Sequence, residues 1–311
     1  MSEAKHSTKR MTRIEAVTAA CRIALNDEKV VLLGETVGKM GGAFGTSIGF
    51  LEEFGAKKIV DLPVSSTGTL GLGIGMALGG KRPIVEVTGP ERVPAMAEQL
   101  LSELGGMSSR TNGDFSAPVV IRVPAGSGES SHNQTTSSNT SILTSIEGVT
   151  VVSPSTPAEA AGMLLSATKA SGPVVIIEPL NGWSQRGEVD LSPTPLNGAK
   201  QLRDGDDIVI ITWGAGVSKA IGVAETAESE GLQVGVIDLR NLSDVDLSVA
   251  GEAITATGTA LVLHDDQAFA DGLVAKFTNY SFLSLEAPIG THPAWRSQAS
   301  IIDAIGSILN F

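Results

Sequence analysis

The sequence predicts an α/β protein of two domains, each built on a mainly parallel sheet flanked by helices. The chain has 311 residues, more than one average domain contains. Short apolar runs alternate with segments of helical periodicity along most of it, which favours parallel strands joined by helices. The stretch from Pro179 to Asn197 also contains Pro193 and Pro195 and divides this alternation into two parts.

In the first part, apolar runs predict strands at residues 30–33, 59–62, 83–87, 118–123, 149–152 and 174–177. Apolar residues at helical spacing predict helices at 12–25, 48–54, 67–78, 94–104 and 157–169. A glycine-rich loop covers 38–45, and a long polar loop covers 125–140. Because long loops in compact domains usually carry function, we expect a site near the second loop.

The second part repeats the alternation in shorter form. Strands are predicted at 208–212, 233–237 and 260–264, and helices at 218–230, 247–256 and 301–309. We therefore predict a first domain at residues 1–185, a linker at 186–198 and a second domain at 199–311.

Composition narrows the possible partners. The net charge is −12, and the sequence contains no run of Lys or Arg that could bind phosphates locally. Because such a surface repels anions, we expect neither nucleic acid nor an anionic membrane as a partner. No stretch of about 18 apolar residues occurs, and the first residues lack the apolar segment of a signal peptide. Cys21 is the only cysteine, which excludes an internal disulfide. These features predict a cytoplasmic protein.

Histidines are the first candidates for chemistry. His132 stands with Asn133 and Gln134 in the long polar loop, where proton transfer or substrate binding competes with simple exposure to solvent. His264 ends an apolar strand, and a polar cap on that strand end is favoured over contact with a ligand. No two histidines have metal-ligand spacing, so no metal site is predicted.

Two glycine clusters allow two interpretations each. Gly71, Gly73 and Gly75 favour close helix packing over a dinucleotide fingerprint, whose acidic residue is not convincing here. The segment Gly214 to Gly216 fits a tight turn or an anion-binding helix start. From residue chemistry alone, the chain is a two-domain α/β protein with a site near His132, and no reaction is specified.

Several collinear segments resemble the β subunits of the decarboxylase (first) component of 2-oxo acid dehydrogenase complexes, the pyruvate and branched-chain types. The segments are residues 31–38, 61–65, 79–87, 118–126, 132–134, 151–154, 214–215 and 236–240. These subunits belong to the transketolase-like thiamine diphosphate superfamily. The resemblance implies a transketolase-like pyrimidine-binding domain followed by a transketolase C-terminal-like domain.

The resemblance also implies a cofactor and partners. In that family the β subunit holds the aminopyrimidine ring of thiamine diphosphate, and a separate α subunit holds the diphosphate and its Mg²⁺. An α₂β₂ assembly with the cofactor at the α/β interface is therefore expected, and a dihydrolipoamide acyltransferase is a further expected partner. The segment Pro288 to Arg296 departs from the family's usual ending, and this departure concerns the docking onto the acyltransferase.

Carried over position by position, the resemblance names four site residues. It implies that Glu35 lies close to the cofactor, that Val64 lies beneath the pyrimidine and that His132 lies in the substrate channel. The glutamate that normally hydrogen-bonds to the pyrimidine N1′ is replaced here by Ser66. A serine hydroxyl can form that hydrogen bond, but it does not readily ionise near neutral pH.

A second departure lies at Thr88 to Val93, where the family has aromatic residues and this chain has none. Glu91 in this segment is a hypothetical displaced carboxylate, the alternative being a solvated loop charge. Three functions follow as hypotheses: an active enzyme with an α partner, a catalytically silent or regulatory β-like subunit, and a non-standard carboligase or split transketolase. A split transketolase would need phosphate-binding Arg or His residues in the second domain, and no clear set is evident.

Overall fold

The first domain is an α/β unit around a six-stranded parallel sheet. The computed structural model describes residues 8–125, 139–279 and 287–309. The strands of this domain are β1 (Lys9–Thr12), β2 (Val30–Glu35), β3 (Ile59–Leu62), β4 (Arg82–Glu86), β5 (Val120–Ala125), β6 (Thr150–Val152), β7 (Val174–Pro179) and β8 (Arg186–Val189). The six-stranded sheet has the order β3-β2-β4-β5-β7-β6. All five of its strand pairings are parallel.

Helices cover both faces of this sheet. They are α1 (Arg13–Leu25), α2 (Phe50–Phe54), α3 (Ser66–Leu78), α4 (Met107–Arg110), α5 (Thr140–Thr144) and α6 (Pro157–Ala167). The helix predicted at 94–104 is irregular, because a 3₁₀ turn at Pro94–Met96 precedes a π-helical segment at Gln99–Gly105. The start of α1 shows a strong local signal: the backbone N–H of Thr12 donates to Glu15 at 2.7 Å and the Thr12 side chain caps Glu15 N in return.

The strand β2 shows why the apolar runs are continuous rather than alternating. Val31 and Leu33 point into the core shared with α3, while Val30 and Leu32 point into the core shared with α1 and α6. A strand with both faces buried gains hydrophobic free energy at successive positions, so the first four residues of β2 are all apolar.

The second domain has a five-stranded sheet of order β13-β12-β10-β11-β9. Its strands are β9 (Lys200–Arg203), β10 (Ile208–Thr212), β11 (Val234–Asp238), β12 (Ala260–His264) and β13 (Ile289–Pro293). Its helices are α7 (Ala215–Ser229), α8 (Leu247–Thr257), α9 (Gln267–Thr278) and α10 (Gln298–Leu309). Only β9 runs antiparallel to its neighbour, so the predicted fold of two mainly parallel α/β domains is confirmed.

The segment between the two large sheets carries a strand of its own. β8 lies within the predicted linker and pairs antiparallel with β1, with Lys9 opposite Val189. The domain limits 1–185, 186–198 and 199–311 stay a prediction. No helix within the described ranges combines the length and apolar character that crossing a membrane requires.

The two domains are joined by backbone hydrogen bonds. Ser153 N donates to the carbonyl of Arg240 at 2.9 Å, and Leu242 N donates to the carbonyl of Val151 at 2.8 Å. Gly214 lies at the same joint with φ 53° and ψ −122°. A Cβ there would lie 2.4 Å from Ser153 Oγ, so only glycine allows this approach.

A buried charge cluster lies at the joint as well. Asp238 is fully buried, and its Oδ1 accepts from Arg240 N at 3.1 Å. Burial, reinforced by the negative charge of Glu159, raises the pKa of Asp238 to about 7. Glu159 lies 3.0 Å from Arg240 Nε, and burial lowers the pKa of nearby Arg13 to about 10. The joint therefore contains a carboxyl group that titrates near neutral pH.

Candidate functional site

The carboxyl ends of β2, β3 and β4 form one edge of the first sheet. In the pairing of β2 with β3, Glu35 stands opposite Leu62, and in the pairing of β2 with β4, Gly34 stands opposite Glu86. Open parallel sheets bind ligands outside the carboxyl ends of their strands. The sequence-predicted residues at positions 35, 64 and 66 all follow or end these strands.

Three of the four predicted site residues thus lie at one edge. Val64 is 69% exposed in the turn between β3 and α3, and Glu35 and Ser66 are each partly exposed. Ser66 is the first residue of α3, which Ser65 caps by accepting from Gly68 N at 3.1 Å. The exposure of these three side chains shows that the chain's own core does not cover them.

Two carboxylates fix the glycine-rich loop that follows Glu35. Asp61 accepts hydrogen bonds from the backbone N–H groups of Gly38, at 2.6 Å, and Lys39, at 3.1 Å. Farther along the loop, Glu86 accepts from Ala43 N at 3.0 Å. The loop beside the candidate site is therefore held at two points by strand-end acids.

Glu86 also belongs to a buried ion network. Arg122 donates from Nη1 to Glu86 at 3.0 Å, and to Glu178 from Nε at 2.8 Å and from Nη2 at 2.9 Å. Burial alone would lower the pKa of Arg122, but the adjacent carboxylates, Glu178 above all, outweigh it and raise that pKa. Thr46 donates its hydroxyl to Glu86 at 3.1 Å. The network is internally satisfied and supports the edge from inside.

Sequence reasoning missed this network. The sequence does contain an indication of this network. Three otherwise apolar strands each contain a charged residue near one end: Glu86, Arg122 and Glu178. Only the register of β4, β5 and β7 shows that the three side chains meet.

The altered segment at 88–93 forms a loop closed by a 3₁₀ turn at Pro90–Arg92. The side chain of Glu91 is 52% exposed and lies 3.6 Å from Arg92 Nε. It folds over its own loop, since a Cβ on Gly89 would lie 2.3 Å from a Glu91 carboxylate oxygen. This arrangement is that of a solvated loop charge. An aromatic contact occurs between Phe44, in the glycine-rich loop, and Trp183, whose ring centroids are 4.7 Å apart.

His132 lies outside the described residues. The described chain resumes at Asn139, whose side-chain amide donates to the carbonyl of Pro90 at 2.7 Å. Ser141 then donates from its backbone N and its hydroxyl to Asp266 Oδ2, at 2.9 and 2.8 Å. One end of the long loop is thereby attached both to the loop after β4 and to Asp266, the N-cap residue of α9.

His264 belongs to the second domain, at the end of β12. It is 1% exposed, and neither ring nitrogen has a hydrogen-bond partner within the described part of the chain. Burial lowers the pKa of His264, and its ring contacts that of Trp295 edge-on at 6.1 Å.

The glycines of α3 divide into two groups: Gly73 packs on β4, while Gly71 and Gly75 face outward.

Comparison with known families assigns each of the two domains to a family. Residues 9–181 match the family described as transketolase, pyrimidine binding domain, and residues 197–293 match the transketolase C-terminal domain. A solved structure described as a split gene transketolase, inactive β₄ tetramer, superposes with a TM-score of 0.74 at 16% identity, over 96% of this chain and 98% of that one. A 2-oxoglutarate:ferredoxin oxidoreductase from Magnetococcus marinus has a TM-score of 0.67 at 11% identity, over 97% of this chain and 65% of that one. The chain is thus a protein of two transketolase-type domains.

Sequence relatives narrow the class further. The pyruvate dehydrogenase E1 component subunit beta of Leifsonia xyli subsp. xyli is 34% identical over 301 residues, 93% of this chain and 88% of the relative. In Bacillus subtilis, the corresponding pyruvate dehydrogenase subunit is 35% identical and the 2-oxoisovalerate dehydrogenase subunit beta 33% identical, each over 90% of this chain and 88% of the relative. The chain belongs to the family of E1 β subunits of 2-oxo acid dehydrogenases, and the resemblance predicted from sequence is confirmed.

Proposed function

We propose that the chain is the β-type subunit of a thiamine diphosphate-dependent 2-oxo acid dehydrogenase and holds the aminopyrimidine ring at the edge formed by Glu35, Val64 and Ser66. The observation that carries the proposal is the exposure of Val64, 69% on a turn between two core elements. An exposed apolar side chain at the same sheet edge as a carboxylate and a hydroxyl suits a heteroaromatic ring, which takes apolar contact on its face and hydrogen bonds at its rim.

The partner follows from the family. An α-type subunit closes over this edge, holds the diphosphate and Mg²⁺, and completes an α₂β₂ assembly, to which a dihydrolipoamide acyltransferase docks. Several relatives carry the name subunit beta, which supports a partner chain. The buried, satisfied network beneath the edge supports the same role, because it keeps the edge rigid while a partner binds.

Each residue has a defined task in this proposal. Thiamine diphosphate, when bound, supplies the nucleophilic carbon for decarboxylation of a 2-oxo acid. Val64 would contact the face of the pyrimidine, and Glu35 would lie close to the cofactor. Ser66 would hydrogen-bond to a ring nitrogen, but its hydroxyl supplies no full negative charge there. His132 would bind or protonate the reacting group.

A second candidate function is a catalytically silent or regulatory β-like subunit. Ser66 favours it, because no carboxylate replaces the family's glutamate at that position and Glu91 is half exposed beside Arg92. A non-standard carboligase or transketolase-like subunit is the third candidate. Ser66 in place of the family's glutamate changes the environment of the pyrimidine N1′, and such a change alters the relative rates of the steps that follow decarboxylation.

The test is to co-express the chain with an α-type thiamine diphosphate-binding protein encoded beside it. Calorimetry of thiamine diphosphate with Mg²⁺, together with assays of 2-oxo acid decarboxylation, separates the candidates. Binding with turnover supports the enzyme, and a stable complex without either supports the silent subunit. Ser66→Glu should raise turnover, whereas the uncharged control Ser66→Gln should not. No gain from Ser66→Glu would contradict a site that lacks only this carboxylate.

A further inference from the structure

A pocket of about 160 Å³ lies between the two domains. Its lining comes from α5 of the first domain and from α9 and the segment after β11 of the second. α5 contacts both α9 and β6, and β6 stands at the opposite end of the strand order from β3. None of the lining residues belongs to the edge that contains Glu35, Val64 and Ser66.

The floor of this pocket is apolar. Leu242 and Leu273 are each 1% exposed and Phe269 is 8% exposed, and all three line the pocket. The Phe269 ring is held edge-on against Trp213, with the ring centroids 5.1 Å apart. A cavity of about 150 Å³ with an apolar lining holds a molecule the size of benzene, so this floor suits an apolar group of about five or six carbon atoms.

Hydroxyl groups also line the pocket, but their protons are already used within the chain. Four of them donate to neighbouring oxygens: Ser141 to Asp266, Thr144 to the carbonyl of Thr140, Ser145 to the carbonyl of Ile142 and Ser243 to Asn241. A hydroxyl has a single proton to donate. These side chains therefore leave an occupant no hydroxyl proton to accept.

Among the described residues that line the pocket, Lys276 alone is charged. Its side chain is exposed and forms no ion pair with any residue that the structure describes. The chain has 34 acidic and 22 basic residues, so a pocket lined by a lysine and by no carboxylate is a local exception that favours an anion. A single ammonium group without free hydroxyl protons beside it matches a monoanion better than a phosphate dianion.

Gly272 keeps space free at the mouth of the pocket. It lies inside α9, is exposed and lines the pocket. A Cβ there would meet no atom within 4 Å, and the φ of Gly272 is not positive. Glycine destabilises a helix relative to alanine, and neither packing nor backbone conformation within the described chain requires it here. A larger side chain at this position would occupy the pocket.

We propose that this pocket binds a short-chain monocarboxylate, with the alkyl tail on the floor and the carboxylate beside Lys276. The bound acid contacts α5 of one domain and α9 of the other, which the hydrogen bonds from Ser141 to Asp266 already join. Binding therefore stabilises the association of the two domains. The site requires neither thiamine diphosphate nor an α-type partner and does not rest on the proposed function.

The first measurement is calorimetric titration of the full-length chain with hexanoate near neutral pH. We expect a Kd of about 0.1–1 mM, as is reasonable for a ligand of this size. Butanoate should bind about tenfold more weakly, because it buries two fewer methylene groups. Hexanoate should also raise the Tm of the chain. No binding of hexanoate at concentrations well above this range would overturn the proposal.

Variants of Lys276 test the charge. Lys276→Gln should weaken hexanoate binding by about tenfold, and Lys276→Arg should retain it. The neutral analogue hexan-1-ol should bind the wild type and Lys276→Gln equally, because it has no charge to lose. Equal affinity of the wild type and Lys276→Gln for hexanoate would contradict the assignment of the carboxylate to Lys276.

The variant Gly272→Leu tests the space. It should abolish hexanoate binding and leave the circular dichroism spectrum unchanged, since the new side chain fills the pocket without displacing an atom. The matched control is Gly306→Leu in α10, where a Cβ also meets no atom within 4 Å and which does not line the pocket. The control should keep the affinity of the wild type. Equal affinities of the two variants would refute the location of the site.

Discussion

Arg122 donates two parallel hydrogen bonds to Glu178, at 2.8 and 2.9 Å, inside a sheet from which neither side chain reaches solvent. The same guanidinium donates to Glu86, which in turn accepts from the glycine-rich loop beside the candidate site. One buried cation therefore connects the middle of the sheet with the loop that follows Glu35.

Arg122→Met should destabilise the protein strongly. It leaves the carboxylates of Glu86 and Glu178 buried without a cation, which costs on the order of 3–5 kcal/mol in the free energy of unfolding. Urea unfolding followed by circular dichroism measures this loss. The control is Arg22→Met, whose partner Glu53 is about 40% exposed and whose loss should cost about 1 kcal/mol or less. Equal losses in the two variants would contradict the role given to the network.

Asp238→Asn should change how stability depends on pH. The pKa of Asp238 is raised from 3.8 to about 7, so its contribution to stability is fully present below pH 3.8 and is lost as pH rises through 7. Asparagine stays neutral and keeps an oxygen for Arg240 N. The free energy of unfolding of the variant should therefore exceed that of the wild type by an amount that grows between about pH 4 and pH 7, to on the order of 2–4 kcal/mol, and changes little above pH 7.

Thermal or urea unfolding at several pH values checks the Asp238 prediction. Asp114→Asn, an exposed aspartate in the first domain, is the control and should leave the pH profile unchanged. If the profile of Asp238→Asn were parallel to that of the wild type, the buried carboxyl would not be titrating near neutral pH.

Cys21 should be inert in the folded protein. Burial raises the pKa of its thiol to about 12, and the side chain is 1% exposed, so little thiolate forms and reagents cannot reach it. With Ellman's reagent at pH 8, we expect negligible reaction of the native chain and one thiol per chain after unfolding in urea. Rapid native reaction would show that α1 opens locally.

Asp61→Ala should loosen the loop beside Glu35. Asp61 accepts from the backbone N–H groups of Gly38 and Lys39, and Lys39 is exposed. We expect trypsin to cleave after Lys39 about fivefold faster in the variant, because local opening precedes cleavage. Mass spectrometry of the fragments measures it. Asp27→Ala, which removes a similar bond to Lys29 N, is the control and should leave cleavage after Lys39 unchanged.

Much of the fold follows from local sequence. The first four residues of β2 and of β7 are apolar because both faces of each strand are buried, and such runs are readily identified. α9 was missed although Asp266 caps it and Phe269, Leu273 and Phe277 follow at helical spacing. Its charged and glycine positions obscured that pattern. β13 is a partly buried edge strand containing Gly290 and Pro293, and such strands carry little periodic signal.

The candidate site follows less directly from local sequence. Glu35, Val64 and Ser66 were predicted through family resemblance and stay a prediction, and the register of β2 against β3 explains why residues about 30 positions apart share an edge. Glu86, Arg122 and Glu178 were not found, because their meeting depends on strand order rather than on spacing. Long-range pairing is information that no local pattern contains.

The close approach of Gly214 to Ser153 limits how the two domains can change in evolution. Because any side chain there would collide with Ser153, the separation of the two sheets depends on the absence of one carbon atom. Exchanging either half for that of a distant homologue would bring an unmatched surface to this junction. The two halves are therefore constrained to change together, as a single inherited unit.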